Sequence, residues 1–166
     1  QTDLFERFQA TETKIAIQKD GELTDISRDI LEELLDTEIP PLSPGQRKLV
    51  EISDDGRFGF VYAKNKSVCS LVGKRAVDLA VIGIDRVIED GAEDQVEIIH
   101  SYDAECSWPL VLATRAASKA KSLSDIKRVA TQYPIMTSRF FEMNEVDDVE
   151  IIPTAGSTEL FPYVEF

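Results

Sequence analysis

From Lys14 to Ile17 polar and apolar side chains alternate, the period of a half-buried strand, and Lys19-Asp20-Gly21 then turns the chain. Ile26, Ile30, Leu31, Leu34 and Leu35 follow at spacings of three and four, which puts them on one helical face. Thr24 or Asp25 is the expected cap of that helix, and Pro40-Pro41 its expected stop. Pro40 to Gln46 reads as a loop leading to a strand near Lys48 to Ile52; Asp54-Asp55-Gly56 is a hairpin turn and Phe58 to Ala63 the returning strand. Ahead of all this, Leu4, Phe5 and Phe8 form a short apolar set suited to a packing turn or a frayed arm.

Further along, Ser67 to Gly73 is expected as a short helix with Val68, Leu71 and Val72 inward, and Asp78 to Gly83 as a strand. Leu79-Ala80-Val81-Ile82 is apolar at consecutive positions, as a strand covered on both faces requires. A helix at Ile84 to Glu89 should follow, then strands at Val96 to Ser101 and Leu110 to Thr114, with the turn around Asp103 to Pro109 crossing into a second lobe. Ala116 to Leu123 reads as a polar connection, Ile126 to Ala130 as a strand, Pro134 to Asn144 as an amphipathic helix and Val149 to Ile152 as a strand. Strands alternate with helices, so the class is α/β.

Composition narrows what such a fold could do. At 166 residues and 43% apolar side chains the chain can build a real core. Its net charge of −13 removes long-range attraction to nucleic acid or an anionic membrane, so an anionic substrate must be met by local donors. Cys69, Cys106 and the single His100 stand at no zinc-ligand spacing and read as structural, with reduced thiols. No apolar run approaches the ~20 residues of a membrane helix, and residues 1 to 13 lack the regions of a signal peptide; the expectation is a soluble, cytoplasmic protein.

Four segments, in order, carry a family likeness. Lys14 to Arg28, reading KIAIQKDGELTDISR, is similar to an opening strand, turn and helix of the form Q-K-x-G-R-L-x-x-x-S-R. Ala76 to Gly83 resembles V-D-L-G-I-x-G; Lys127 to Pro134, followed by Arg139-Phe140-Phe141, resembles K-R-I-A-T-x-Y-P with R-Y-L or R-Y-F; and Gly156-Ser157-Thr158-Glu159 resembles G-S-V-E. Each piece is weak alone and specific as a set, covering residues 13 to 163. Together they resemble the ATP phosphoribosyltransferases of histidine biosynthesis, in the long form. The resemblance implies a two-lobed fold like the type II periplasmic binding proteins, with lobe I over residues 1–104, lobe II over 105–166 and substrate in the cleft. It also implies transfer of phosphoribosyl from phosphoribosyl pyrophosphate to N1 of ATP, with Mg2+ accompanying the phosphates, and assembly into homo-oligomers.

The substrate-binding residues it implies are Lys19, Asp78, Tyr133, Arg139, Gly156, Ser157 and Glu159; no catalytic residue and no protein-held metal is assigned. Each has an ordinary alternative. Lys19 could be a solvated turn lysine, Asp78 a loop cap, Arg139 a partner for Glu142, and Gly156 to Glu159 a plain turn.

Departures from the pattern temper the activity. The family's phosphate loop, D-A-I-V-D-x-V-x-T-G-x-T-L, should begin shortly after Glu159, whereas the sequence reaches Phe166; the expectation is an incomplete second lobe and a chain inactive in isolation. Glu22 replaces an arginine, Ser107 or Pro109 replaces another, and Glu165 stands at a glycine position. A non-catalytic small-molecule-binding or regulatory paralogue is the alternative. A structural paralogue associating through Tyr163 to Phe166 is a third reading.

Overall fold

The computed structural model describes residues 2–19, 23–39, 49–102 and 110–155. It divides into two compact units, Gln1–Glu97 and Ile98–Phe166.

The first unit opens with α1 (Thr2–Gln9), β1 (Thr13–Gln18), α2 (Leu23–Leu35), β2 (Val50–Ile52), β3 (Phe58–Ala63), α3 (Asn65–Gly73), β4 (Leu79–Ala80) and α4 (Ile84–Glu89). The strands form one sheet in the order β2-β3-β1-β4. β1 runs parallel to both its neighbours and β2 is an antiparallel edge strand.

The side-chain period explains the two layers over this sheet. Ile15, Ile17, Phe58, Phe60 and Tyr62 point to one face, where they meet Leu31 of α2 and Ile39 beyond it. Ala16, Val61 and Ala63 point to the other, under Val68, Leu71 and Val72 of α3. The apolar run after Asp78 splits the same way, Leu79 and Val81 joining the first cluster and Ala80 and Ile82 the second. Each fully buried large side chain here contributes about 1.5–3 kcal/mol. At the β2–β3 hairpin, Gly56 takes φ 75°, which a Cβ would oppose, and its N–H donates to the Ser53 carbonyl at 2.9 Å.

Several boundaries differ from the sequence expectation. Leu4, Phe5 and Phe8 belong to a helix, α1, of which Phe8 alone of the three is buried. α2 begins at Leu23, beside Gly83, so Thr24 and Asp25 lie inside its first turn instead of capping it. It ends at Leu35, ahead of the prolines, with Asp36 in the left-handed region at φ 47°. Only Leu79 and Ala80 pair with β1, because the chain then turns toward Gly83 and the start of α4.

The second unit contains a single 3-10 turn (Leu123–Asp125), β5 (Arg128–Thr131), α5 (Pro134–Met143) and β6 (Glu150–Pro153) among its described residues. β5 and β6 pair in parallel, with Phe141 of α5 buried. Neither 96–101 nor 110–114 forms a strand: both are apolar enough, but the described residues give them no ladder partner. No described helix is long and apolar enough to cross a membrane.

Candidate functional site

In parallel sheets flanked by helices, ligands gather at the carboxyl ends of the strands, because the following helices begin there with unpaired N–H groups. The first unit has such an edge. The Lys19 N–H donates to the Ala63 carbonyl at 2.8 Å, carrying the β1–β3 ladder one step past β1 and fixing Lys19, half-buried, at that edge. Lys64 follows at once as the cap residue of α3, and α2 starts nearby at Leu23, whose Cδ1 lies 3.9 Å from where a Gly83 Cβ would stand. The same imagined Cβ would overlap the Asp85 carboxylate, so only a glycine leaves that oxygen its place.

Two buried side-chain oxygens in the first turns of these helices have no hydrogen-bond partner among the described residues: Thr24 Oγ1 and Asn65 Oδ1. Thr24 is 9% exposed. An orphaned buried polar atom costs on the order of 1–3 kcal/mol, and sites that accept a polar ligand are where such costs recur. The edge therefore offers Lys19 and Lys64 as cations, the amino termini of α2 and α3, a hydroxyl and an amide. That set suits phosphate or ribose oxygens.

Asp78 lies elsewhere. Its N–H donates to the Lys14 carbonyl at 2.7 Å, and its Oδ2 accepts the Lys14 N–H at 2.7 Å. This places it at the amino end of β1, five residues from Lys19, a distance of ~16 Å at the usual rise of a strand. Asp78 and Lys19 stand at opposite ends of the sheet, and the structure does not bring them together.

In the second unit, Tyr133 occupies the cap position of α5 with Pro134 as the first helical residue. Its N–H donates to Thr131 Oγ1 at 3.0 Å and its carbonyl accepts the Thr137 N–H at 2.9 Å. The Thr154 N–H reaches the Thr131 carbonyl at 2.8 Å, and the buried Thr154 Oγ1 has no partner among the described residues. Three threonines thus collect at the carboxyl end of β5 and β6 beside the start of a ten-residue helix. The sequence marks Thr24 only as a helix cap, and Asn65, Thr137 and Thr154 stand outside the quoted motifs. Arg139 sits on the exposed face of α5. Gly156, Ser157 and Glu159 lie outside the described residues, as do Glu22, Cys106 to Pro109 and Glu165.

The remaining reactive side chains are accounted for structurally. Cys69 is buried, and burial first, then the nearby Asp90 carboxylate, pushes its thiol above the usual range, away from nucleophilic use. His100 stacks edge-to-face on Tyr102, ring centroids 4.5 Å apart. Among the described residues no three or more His, Cys, Asp or Glu side chains gather where they could hold a metal ion.

Comparison with known proteins agrees across methods. The family model for ATP phosphoribosyltransferase, HisG, matches residues 64–166. An ATP phosphoribosyltransferase of Ruminiclostridium cellulolyticum is 34% identical over 150 residues, which is 90% of this chain and 68% of that protein. The enzyme of the same name from Methanocaldococcus jannaschii is 33% identical over 71% of this chain and 41% of its own length, and that of Haloarcula marismortui 29% identical over 92% and 52%. Among solved structures, the ATP phosphoribosyl transferase (HisG:HisZ) complex from Thermotoga maritima superposes with a TM-score of 0.58 at 19% identity, covering 90% of this chain and 68% of that one. That likeness shows the fold, an α/β architecture of the type II periplasmic-binding-protein kind. The chain spans between 41% and 68% of the length of these relatives.

Proposed function

Since the chain belongs to the ATP phosphoribosyltransferase family, we propose that it serves the transfer of phosphoribosyl from phosphoribosyl pyrophosphate to N1 of ATP, the first step of histidine biosynthesis. In that step the N1 lone pair forms a bond to C1 of the ribose, the bond from C1 to the pyrophosphate oxygen breaks, and the electron pair leaves with pyrophosphate. The observation that carries the reading is the family match over residues 64–166, joined to relatives aligned over 90% of the chain.

The two units, Gln1–Glu97 and Ile98–Phe166, are read as the two lobes expected at 1–104 and 105–166. Both substrates are polyanions and the chain carries −13, so the work falls on local groups. We assign Lys19 to a substrate phosphate, assisted by the first-turn N–H groups of α2 and α3 and by Thr24 and Asn65. Asp78 enters as a positioning residue that seats β4 against β1. Tyr133 and Arg139, with Gly156, Ser157 and Glu159, are assigned to the second unit's share of nucleotide and ribose contacts. The hydroxyls of Thr131, Thr137 and Thr154 lie beside Tyr133 and extend that set. Mg2+ is read as arriving with the phosphates, as part of the substrate. A homo-oligomer in the cytoplasm completes the proposal.

The test is calorimetric titration with Mg2+ and ATP, followed by an assay of pyrophosphate release once phosphoribosyl pyrophosphate is added. Both are run on residues 1–166 and on the full reading frame that contains them. ATP binding with pyrophosphate release from the full frame is expected. Silence of the full frame in both assays would overturn the reading in favour of a non-catalytic relative.

A further inference from the structure

Gly83 ends the turn between β4 and α4 with φ −65° and ψ 138°, an extended conformation open to any residue, so its backbone does not call for glycine. Asp85 does. The place that a Cβ would take is filled by Asp85 Oδ1, folded back over Gly83, and it lies 3.9 Å from Leu23 Cδ1 at the start of α2. A carboxylate is thus seated at the carboxyl edge of the sheet, where β4 hands over to α4, beside the first turn of α2.

Asp85 is half-buried, and among the described residues it enters no hydrogen bond or ion pair. Arg86, the next residue, pairs with Asp90 instead. A carboxylate drawn out of water without a donor is unfavourable, and the groups that relieve it are hydroxyls, amines and N–H groups. The chain that joins Lys19 to Leu23, residues 20–22, lies outside the described residues, and its N–H groups are the competing donors that the experiment has to separate.

We propose that Asp85 is a specificity residue, accepting the neighbouring hydroxyls of a ribose whose phosphate is held by Lys19 and the first turn of α2. This rests on the transferase reading and assigns a further part of the same site. Lys19, Lys64 and the first-turn N–H groups can only donate, which suits phosphate oxygens. A carboxylate can only accept; it repels phosphate and has two oxygens to offer to two vicinal hydroxyls. Both substrates of the proposed transfer carry such a pair on a ribose that also carries a phosphate. The amine of adenine, the other donor of ATP, stands on the far side of the ribose from the phosphates, so an acceptor beside a phosphate site meets the hydroxyls first.

The experiment is calorimetric titration of the full reading frame that contains residues 1–166, with ATP against 2′-deoxy-ATP and 3′-deoxy-ATP, and with ribose 5-phosphate against 2-deoxyribose 5-phosphate. The unaltered protein should bind the hydroxyl-bearing member of one set about tenfold more tightly. Asp85→Asn and Gly83→Ala should each erase that preference, the second by taking the carboxylate's place while keeping its charge. The set that responds identifies whose ribose is held. Because the preference is a ratio measured on one protein, partial unfolding of a variant lowers both affinities and leaves the ratio intact. No preference in the unaltered protein, a preference that survives both variants, as it would if residues 20–22 satisfied the carboxylate, or tighter binding of every probe by Asp85→Asn would each overturn the assignment. Any of these with ATP bound sinks the assignment alone, whereas failure of the unaltered protein to bind either ATP or ribose 5-phosphate sinks the transferase reading with it.

Discussion

Asp78 and Lys14 exchange two hydrogen bonds, the Asp78 N–H donating to the Lys14 carbonyl and the Lys14 N–H to Asp78 Oδ2, both at 2.7 Å. The pair closes the amino end of the β1–β4 ladder, which otherwise has only Ile15 opposite Leu79 and Ala16 opposite Ala80. Asp78→Ala should therefore lower stability by about 1 kcal/mol, read from urea denaturation, since a partly exposed hydrogen bond is lost. Lys19→Ala should leave the urea midpoint in place and weaken ATP binding about tenfold or more. The opposite pattern, a stable Asp78→Ala protein that fails to bind and a destabilised Lys19→Ala protein that binds normally, would reverse the two assignments.

Gly59 is the seat of α1. A Cβ there would stand 2.6 Å from Phe8 Cε2 and 2.8 Å from Thr11 Oγ1. Gly59→Ala should destabilise by roughly 1–3 kcal/mol through overpacking. In the Phe8→Ala background the same change should cost clearly less, because the ring it collides with is gone. Additive costs in that double-mutant cycle would mean that the glycine serves the strand rather than the helix above it.

The Tyr62 hydroxyl donates to Glu51 Oε2 at 2.9 Å across the β2–β3 pair, with Tyr62 3% and Glu51 9% exposed. Burial, and then this hydrogen bond, hold the phenol protonated well above its ordinary range. Tyr62→Phe removes a donor from a buried carboxylate while keeping the ring, and should cost about 1–3 kcal/mol in thermal or chemical unfolding.

At the hairpin, the Ser53 hydroxyl donates to Asp55 Oδ1 at 2.6 Å and the Arg57 N–H at 3.0 Å. These donors, the serine first, hold the Asp55 carboxyl below its ordinary value of 3.8. A carboxylate lowered in this way adds stability above 3.8 that is lost as pH falls through the lower folded value. Melting curves of Asp55→Asn should therefore fall less than those of the unaltered chain between pH 4 and pH 2, and a parallel decline would remove Asp55 from the acid response.

The first unit was largely legible in the sequence because its signals are local. Ile15 and Ile17 stand two apart on one face of β1, Phe58 to Ala63 matches β3, and Ile84 to Glu89 matches α4. What the pattern could not give was pairing. Ile98, Ile99 and Leu110 to Leu112 have strand composition, but a strand exists only when another chain segment lies alongside. The site divides along the same line. The motif around Lys19 named the residue and the end of the sheet together, since the turn after a first strand is at its carboxyl edge. Asp78 was named by its likeness to V-D-L-G-I-x-G, which does not say which end of the sheet it occupies, and the two bonds to Lys14 that fix that end join residues far apart in the chain.

β1 lies in the middle of the sheet, and both of its partners come later in the chain: Ile15 faces Phe60 on one side and Leu79 on the other. A ribosome delivers the amino end first, at about 5–20 residues per second. The strand is thus outside for roughly 3–13 seconds before its second flank has been synthesised, with Ile15, Ala16 and Ile17 all still to be covered. During that interval the nascent chain presents a short apolar strand of the kind that holding chaperones take up. The part of the first unit most deeply shielded in the finished protein is the part most dependent on protection while the protein is being made.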